Sequence, residues 1–195
     1  MRIVGGRHRG RRLAAPAGGA TRPTADRARE ALFNILAHSP LVALDGAVVV
    51  DAFAGSGALG LEALSRGAAA VTFLDSHPAA LAAIRDNLKS LGETATVLRA
   101  DATRPPAAVA PCTLAFLDAP YGKGLSEPAL AALAGAGWLA ESALCVVEVA
   151  AAEDFTPPDG FTVVDERRYG AAKLVFAVYA AAQKESPLRS GGGFP

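Results

Sequence analysis

Val48-Val49-Val50-Asp51-Ala52-Phe53-Ala54-Gly55-Ser56-Gly57-Ala58-Leu59-Gly60 decides the architecture. A short β-branched run ends in an acid, and a glycine-rich turn follows. Leu59, Leu61 and Leu64 then continue at helical spacing to a stop at Gly67. The segment contains G-x-G-x-x-G, with Asp75 further on. Spacing alone matches a dinucleotide site, where a helix N-terminus receives a pyrophosphate and the acid bonds a ribose hydroxyl. Asp51 argues for a different ligand. It stands at the strand tip, where a pyrophosphate would meet a carboxylate, and like charges about 4 Å apart repel by roughly 4 kcal/mol at an effective dielectric near 20. A ligand carrying an ammonium and a sulfonium is attracted there instead, and S-adenosylmethionine is such a ligand. The expected cofactor contacts are Asp51, then Phe53, Ala54, Gly55, Ser56 and Gly57 in the turn. Asp75 and Ser76 are expected at the ribose, Asp101 and Ala102 at the adenine edge.

Downstream, strand and helix patterns alternate. Val71 to Leu74 ends in Asp75, and a helix starts at Pro78, a residue suited to a first helical position. Thr96 to Leu98 ends near Asp101, and Leu114 to Leu117 ends in Asp118. A helix from Ser126 to Ala134 leads to Leu144 to Val147, which ends in Glu148. Phe161 to Val164 and Leu174 to Tyr179 read as a closing antiparallel pair. Five β-α repeats with short connections predict an α/β fold, a doubly wound parallel sheet with helices on both faces. Ligands of such sheets bind outside the carboxyl ends of the strands, so the five strand-end acids should converge on one crevice.

Upstream, Ile3-Val4 and Leu13 are apolar points separated by glycines, which suits a small hairpin or extended arm. Pro16 to Pro23 reads as a linker. A helix with Thr24 as its N-cap should stop before Pro40. Residues 1–30 hold eight arginines against Asp26 and Glu30, although the whole chain is neutral, with 19 basic and 19 acidic residues. The arginine fork suits phosphate, so the arm points to a polyanion, with nucleic acid the expected one. A solvated leader is the competing account.

The 195 residues, 51% hydrophobic, suffice for one well-buried domain and exclude a largely disordered chain. Charges interrupt every apolar stretch before it reaches membrane-spanning length. The N-terminus lacks the pattern of a secretory signal. Cys112 and Cys145 are expected as buried thiols, which places the protein in the cytoplasm. His8, His38 and His77 have no metal-site spacing, and no metal is expected. The expected organisation is an arm, hairpin and helix over 1–40 packed on a catalytic domain over 41–182, with a disordered tail over 183–195.

Asp118-Ala119-Pro120-Tyr121 brings a carboxylate, a carbonyl followed by proline, and an aromatic ring into four residues. An exocyclic base amine is a poor nucleophile because its lone pair is delocalised into the ring. Asp118 and the Ala119 carbonyl could accept its protons and aim the lone pair at a methyl group, while Tyr121 stacks on the base. An ordinary Pro-containing turn is the plainer reading of these four residues taken alone.

The glycine motif from Asp51 to Gly60 and the Asp118 to Tyr121 segment together resemble the RsmD family. So do Arg2-Ile3-Val4-Gly5-Gly6 with Gly10-Arg11, and the run from Arg22-Pro23-Thr24 through Leu32-Phe33-Asn34. Gly137-Trp138-Leu139-Ala140 and Glu148 also fit the family. The resemblance spans roughly residues 2–180; the glycine motif is shared by many methyltransferases, whereas the Arg22 to Asn34 run is far more specific. It implies a Rossmann-like, seven-stranded S-adenosylmethionine-dependent methyltransferase sheet, its last strand antiparallel, with a small N-terminal hairpin and helix extension. The implied reaction is methyl transfer to the exocyclic N2 amine of a guanine in 16S ribosomal RNA, naked or in a partly assembled small subunit. Asp118, Ala119, Pro120 and Tyr121 are then the catalytic positions, and the protein is expected to be a monomer. Arg7, Arg9, Arg11 and Arg12, with Arg22, Thr24 and Arg27, are the expected RNA contacts. One departure stands out: the family has Asp-Pro-Pro, and here the first proline is Ala119. Ala119 keeps its carbonyl, with a less rigid φ. Three alternatives stay open: an adenine-N6 methyltransferase on DNA or RNA, a nicotinamide-dependent reductase, and a non-catalytic RNA-binding relative.

Overall fold

The computed structural model describes residues 1–16 and 23–181. Seven strands form one sheet: β1 (Val48–Ala52), β2 (Ala70–Asp75), β3 (Thr96–Arg99), β4 (Cys112–Asp118), β5 (Leu139–Ala150), β6 (Phe161–Tyr169) and β7 (Ala172–Tyr179). Among the described residues four α-helices accompany them: α1 (Pro23–Ala37), α2 (Ala58–Ser65), α3 (Pro78–Leu91) and α4 (Ser126–Gly135). The order is β3-β2-β1-β4-β5-β7-β6. β1 to β5 pair in parallel, while β7 runs antiparallel to both β5 and β6. The chain reverses direction in the sheet beside β1, so β1 and β4 flank the crevice where ligands of doubly wound folds sit.

Alternation along each strand splits the core in two. Val49, Phe73, Leu114, Phe116 and Val146 face α1, α2 and α3, meeting Phe33, Leu36, Leu61 and Ile84. Val50, Leu74, Ala115, Leu117 and Val147 face α4, meeting Leu130 and Leu133. Buried on both faces, these strands read as continuous apolar runs. Pro78 opens α3 at its first turn, and Gly92 closes it in a left-handed conformation (φ 69°). Trp138 is buried against the sheet and donates its indole N–H to the Pro106 carbonyl at 2.8 Å. Cys112 and Cys145 are buried free thiols. Among the described residues, no helix is long and apolar enough to cross a membrane.

Three expectations need correction. The β-α alternation is incomplete, because residues 100–111 join β3 to β4 without a helix. Pro105, Pro106 and Pro111 explain this, since proline lacks the N–H and fixes φ. The closing strands are also longer than read. β6 extends past Val164 through charged residues to Tyr169, because it forms the sheet edge and one of its faces meets solvent. Thr24 falls inside α1, which already begins at Pro23, and so does not stand at the N-cap position.

The first thirteen residues form a hairpin. Arg2 bridges Arg12, and backbone bonds join Ile3 to Arg11 and Leu13 to Met1. Ile3 is fully buried and Leu13 nearly so. The hairpin is tied to the body by the Val4 N–H to Glu62 (2.8 Å) and the His8 N–H to Ser65 (3.0 Å). The Asn87 side chain adds two bonds, accepting from the Ala14 N–H and donating to the Ala14 carbonyl.

Candidate active site

The turn after β1 bends through three left-handed residues, Phe53 (φ 59°), Gly55 (φ 55°) and Gly57 (φ 77°). Two carboxylates hold it. The Gly60 N–H donates to Asp51 Oδ2 at 2.9 Å, fastening the first turn of α2 to the tip of β1. The Gly55 N–H donates to Asp75 Oδ2 at 2.8 Å, and the His77 N–H takes the other oxygen. Gly60 is fixed by packing: a Cβ there would lie 2.4 Å from Phe73 Cε1 and 2.8 Å from Val71 Cγ1. Gly60→Ala is expected to destabilise the fold by about 1–3 kcal/mol, the usual range for overpacking. Urea denaturation checks it.

Around this turn lies a cavity of about 460 Å³, within the range of small-molecule sites. Asp51, Phe53 to Ser56, Asp118, Tyr121 and Glu148 line it. The hairpin and α1 close it with Met1, Ala28, Arg29 and Leu32. A larger, shallower depression of about 650 Å³ lies between the end of α1 and Arg66, and none of the five strand-end acids lines it.

Asp118 and Glu148 are register partners on β4 and β5, so their side chains leave the sheet on the same side. Asp118 is exposed at the end of β4, where its side chain lines the cavity with protein crowded around it. Burial, and then the Glu148 charge, push its carboxyl up to about 7. Asp51 is fully enclosed, and burial raises its carboxyl well above the ordinary range. The Gly60 hydrogen bond opposes that rise, while the charges of Asp118 and Asp75 add to it. Tyr121 donates its hydroxyl to Glu148 Oε1, and burial followed by that bond raises the phenol. The like charges that help to raise Asp51 and Asp118 are ones a bound cation would offset, so the cavity suits a cationic ligand.

Asp51, Phe53, Ala54, Gly55, Ser56, Asp118 and Tyr121 are therefore brought together. Asp75 stands behind the turn, holding Gly55. Asp101 lies on an exposed loop, where its carboxylate accepts from the Thr103 N–H (2.9 Å) and hydroxyl (2.8 Å), which lower its pKa. Ala102 beside it is buried. Arg7 pairs with Glu93 at 2.7 Å, and Arg11 donates to the Ser90 carbonyl. Arg9, Arg12 and Arg27 are exposed. Arg22 and the Thr24 side chain lie outside the described residues.

Sequence reasoning missed the ion network beneath the hairpin. Glu62, wholly buried on α2, receives the Arg66 Nε–H at 2.8 Å and faces Arg29 Nε at 3.9 Å. Arg29 also donates to Asp26 (2.8 Å) and the Arg2 carbonyl, and Arg66 lies over the Phe33 ring at 5.2 Å. Glu148 was expected at the crevice with the other strand-end acids, but no contact with cofactor or base was assigned to it.

The family model described as Conserved hypothetical protein 95 matches residues 1–178, which take in both hairpin and sheet. Ribosomal RNA small subunit methyltransferase D of Escherichia coli (strain K12) is 43% identical over 150 residues, 76% of this chain and 74% of that protein. Its namesake in Haemophilus influenzae is 35% identical over 176 residues, covering 87% of this chain and 89% of that protein. The solved structure of yhhF from Escherichia coli superposes with a TM-score of 0.79 at 36% identity, over 93% of this chain and 99% of that one.

Proposed function

Because this chain belongs to the RsmD family of ribosomal RNA methyltransferases, we propose that it transfers a methyl group from S-adenosylmethionine to the N2 amine of a guanine in small-subunit ribosomal RNA. The observation that carries the reading is the convergence of Asp51, Asp118 and Glu148 on one cavity beside the glycine turn. That donor set fits a cationic methyl donor. It opposes a pyrophosphate, and so speaks against a nicotinamide coenzyme.

S-adenosylmethionine, when bound, supplies a methyl group on a cationic sulfur. Asp51, the turn from Phe53 to Gly57, and Asp75 with Ser76 are the residues that would hold it, with Asp101 and Ala102 at the adenine. Asp118 and the Ala119 carbonyl accept the two N–H protons of the target amine, leaving its lone pair directed away from both. Asp118 takes the proton the amine sheds after transfer. Tyr121, held by Glu148, offers its ring to a base that is unpaired or flipped out of its stack.

Mass spectrometry of small-subunit ribosomal RNA, as nucleosides and as nuclease fragments, tests the reaction and locates the nucleotide. Cells lacking the protein should lose N2-methylguanosine at one site. A change in N6-methyladenosine instead would establish the adenine reading.

The arginines of the hairpin supply the RNA contact in this proposal. Removing residues 1–12 would be a poor test, because Ile3 and Val4 are built into the body. Arg9→Ala with Arg12→Ala removes two exposed cations and leaves the fold in place. The log–log slope of RNA affinity against salt should flatten by roughly 1.4–1.8, about 0.7–0.9 for each phosphate that is no longer neutralised. Filter-binding titrations at several salt concentrations read it, and an unchanged slope removes these two residues from the interface.

A further inference from the structure

We infer that Glu148 is the residue that reads the base, accepting the imino N1–H of guanine beside the amine held by Asp118. The inference rests on the guanine reading above and adds the residue that enforces it. Asp118 and Glu148 stand side by side where the parallel pairing of β4 and β5 ends, and both line the cavity. The Tyr121 hydroxyl occupies Glu148 Oε1, and among the described residues no hydrogen bond is made to Oε2. That oxygen is the acceptor available to a base.

A carboxylate offers acceptors only. The pairing edge of guanine presents donors at both N1 and N2. Adenine presents a donor at N6 and an acceptor at N1, so a carboxylate opposite its N1 meets a lone pair. The same mismatch applies to 2,6-diaminopurine, which carries the reactive amine at C2 but has an acceptor at N1. Asp118 alone would serve either base, whereas Asp118 with Glu148 serves guanine. Such a contact is worth about 10- to 100-fold in discrimination.

Glu148→Gln is a matched probe. Tyr121 still donates to the side-chain oxygen, which turns the amide nitrogen to the place of Oε2. The acceptor facing N1 thereby becomes a donor at unchanged volume. RNA is assembled by ligation with either unmodified guanosine or 2,6-diaminopurine at the target position, located by the fragment mapping above. Radiolabelled methyl transfer is then measured with the wild-type protein and the variant. The wild type should prefer guanine by about 10- to 100-fold. The variant should lose rate on guanine, gain rate on 2,6-diaminopurine, and bring the ratio to near or below one. Equal losses on both bases, with the ratio kept, would overturn the inference and leave Glu148 as a support for Tyr121. No transfer by the wild type to the guanine RNA would instead overturn the proposed reaction, and the inference with it.

Discussion

Asp118→Asn should suppress methyl transfer by at least about 100-fold while making the protein more stable at pH 8. The loss follows because an amide is neutral and offers a weaker acceptor to the amine. The gain follows from the raised carboxyl. Asp118 binds its proton up to about pH 7 in the folded protein, against an ordinary value of 3.8. Between those values the native state holds a proton that the unfolded chain has released, so stability falls as pH rises through the window. Above it the folded protein carries a charge confined beside Glu148. Asparagine removes that penalty, which is on the order of 1 kcal/mol once solvent screening on the open face is allowed for. The melting temperature should therefore rise by roughly 2–4 °C at pH 8 and show no difference below pH 4. In the wild type, kcat/KM should climb between pH 6 and 8 as Asp118 ionises in the free enzyme. A flat profile over that range would remove Asp118 as the acceptor.

Glu62→Ala should give the largest loss of stability among these variants. Glu62 is wholly buried and satisfies three groups at once: the Val4 N–H, Arg66 and, at longer range, Arg29. Truncation leaves two guanidinium groups with little solvent to compensate them, and breaking a buried pair in this way costs about 3–5 kcal/mol. For a chain of this length the melting temperature should drop by roughly 10 °C. The damage should reach the cavity, because α1 and the hairpin supply its outer wall through Arg29, Leu32 and Met1. Calorimetric titration with S-adenosylmethionine should show weaker binding even where the sheet stays folded. A loss below about 1 kcal/mol would mean that water reaches the network and supports the arginines.

The sheet was legible because each central strand is a short apolar run closed by an acid, and each acid marks the same end of the fold. Asp51, Asp75, Asp101, Asp118 and Glu148 carry that regularity, and it is enough to bring Asp51 and Asp118 to one cavity from the sequence alone. The Glu62 network was not legible. In sequence Glu62 is one acid in a short helix, and its partners lie at Val4, Arg29 and Arg66, joined only by folding. Asn87 was hidden in the same way, since a polar residue at helical spacing gives no sign that a hairpin more than seventy residues earlier will bond to it. The length of β6 was missed because an edge strand keeps polar residues on its open face and so lacks an apolar run.

The position of β7 constrains how the protein is made. It lies between β5 and β6, so β6, although synthesised earlier, finds its sheet neighbour only when the last described strand has left the ribosome. Until then β5 presents a row of unpaired backbone groups beside the acids of the crevice, the kind of edge that recruits other chains. A message broken before the codon for Ala172 would cost the product two strands, and nascent chains stalled there should aggregate where full-length chains fold.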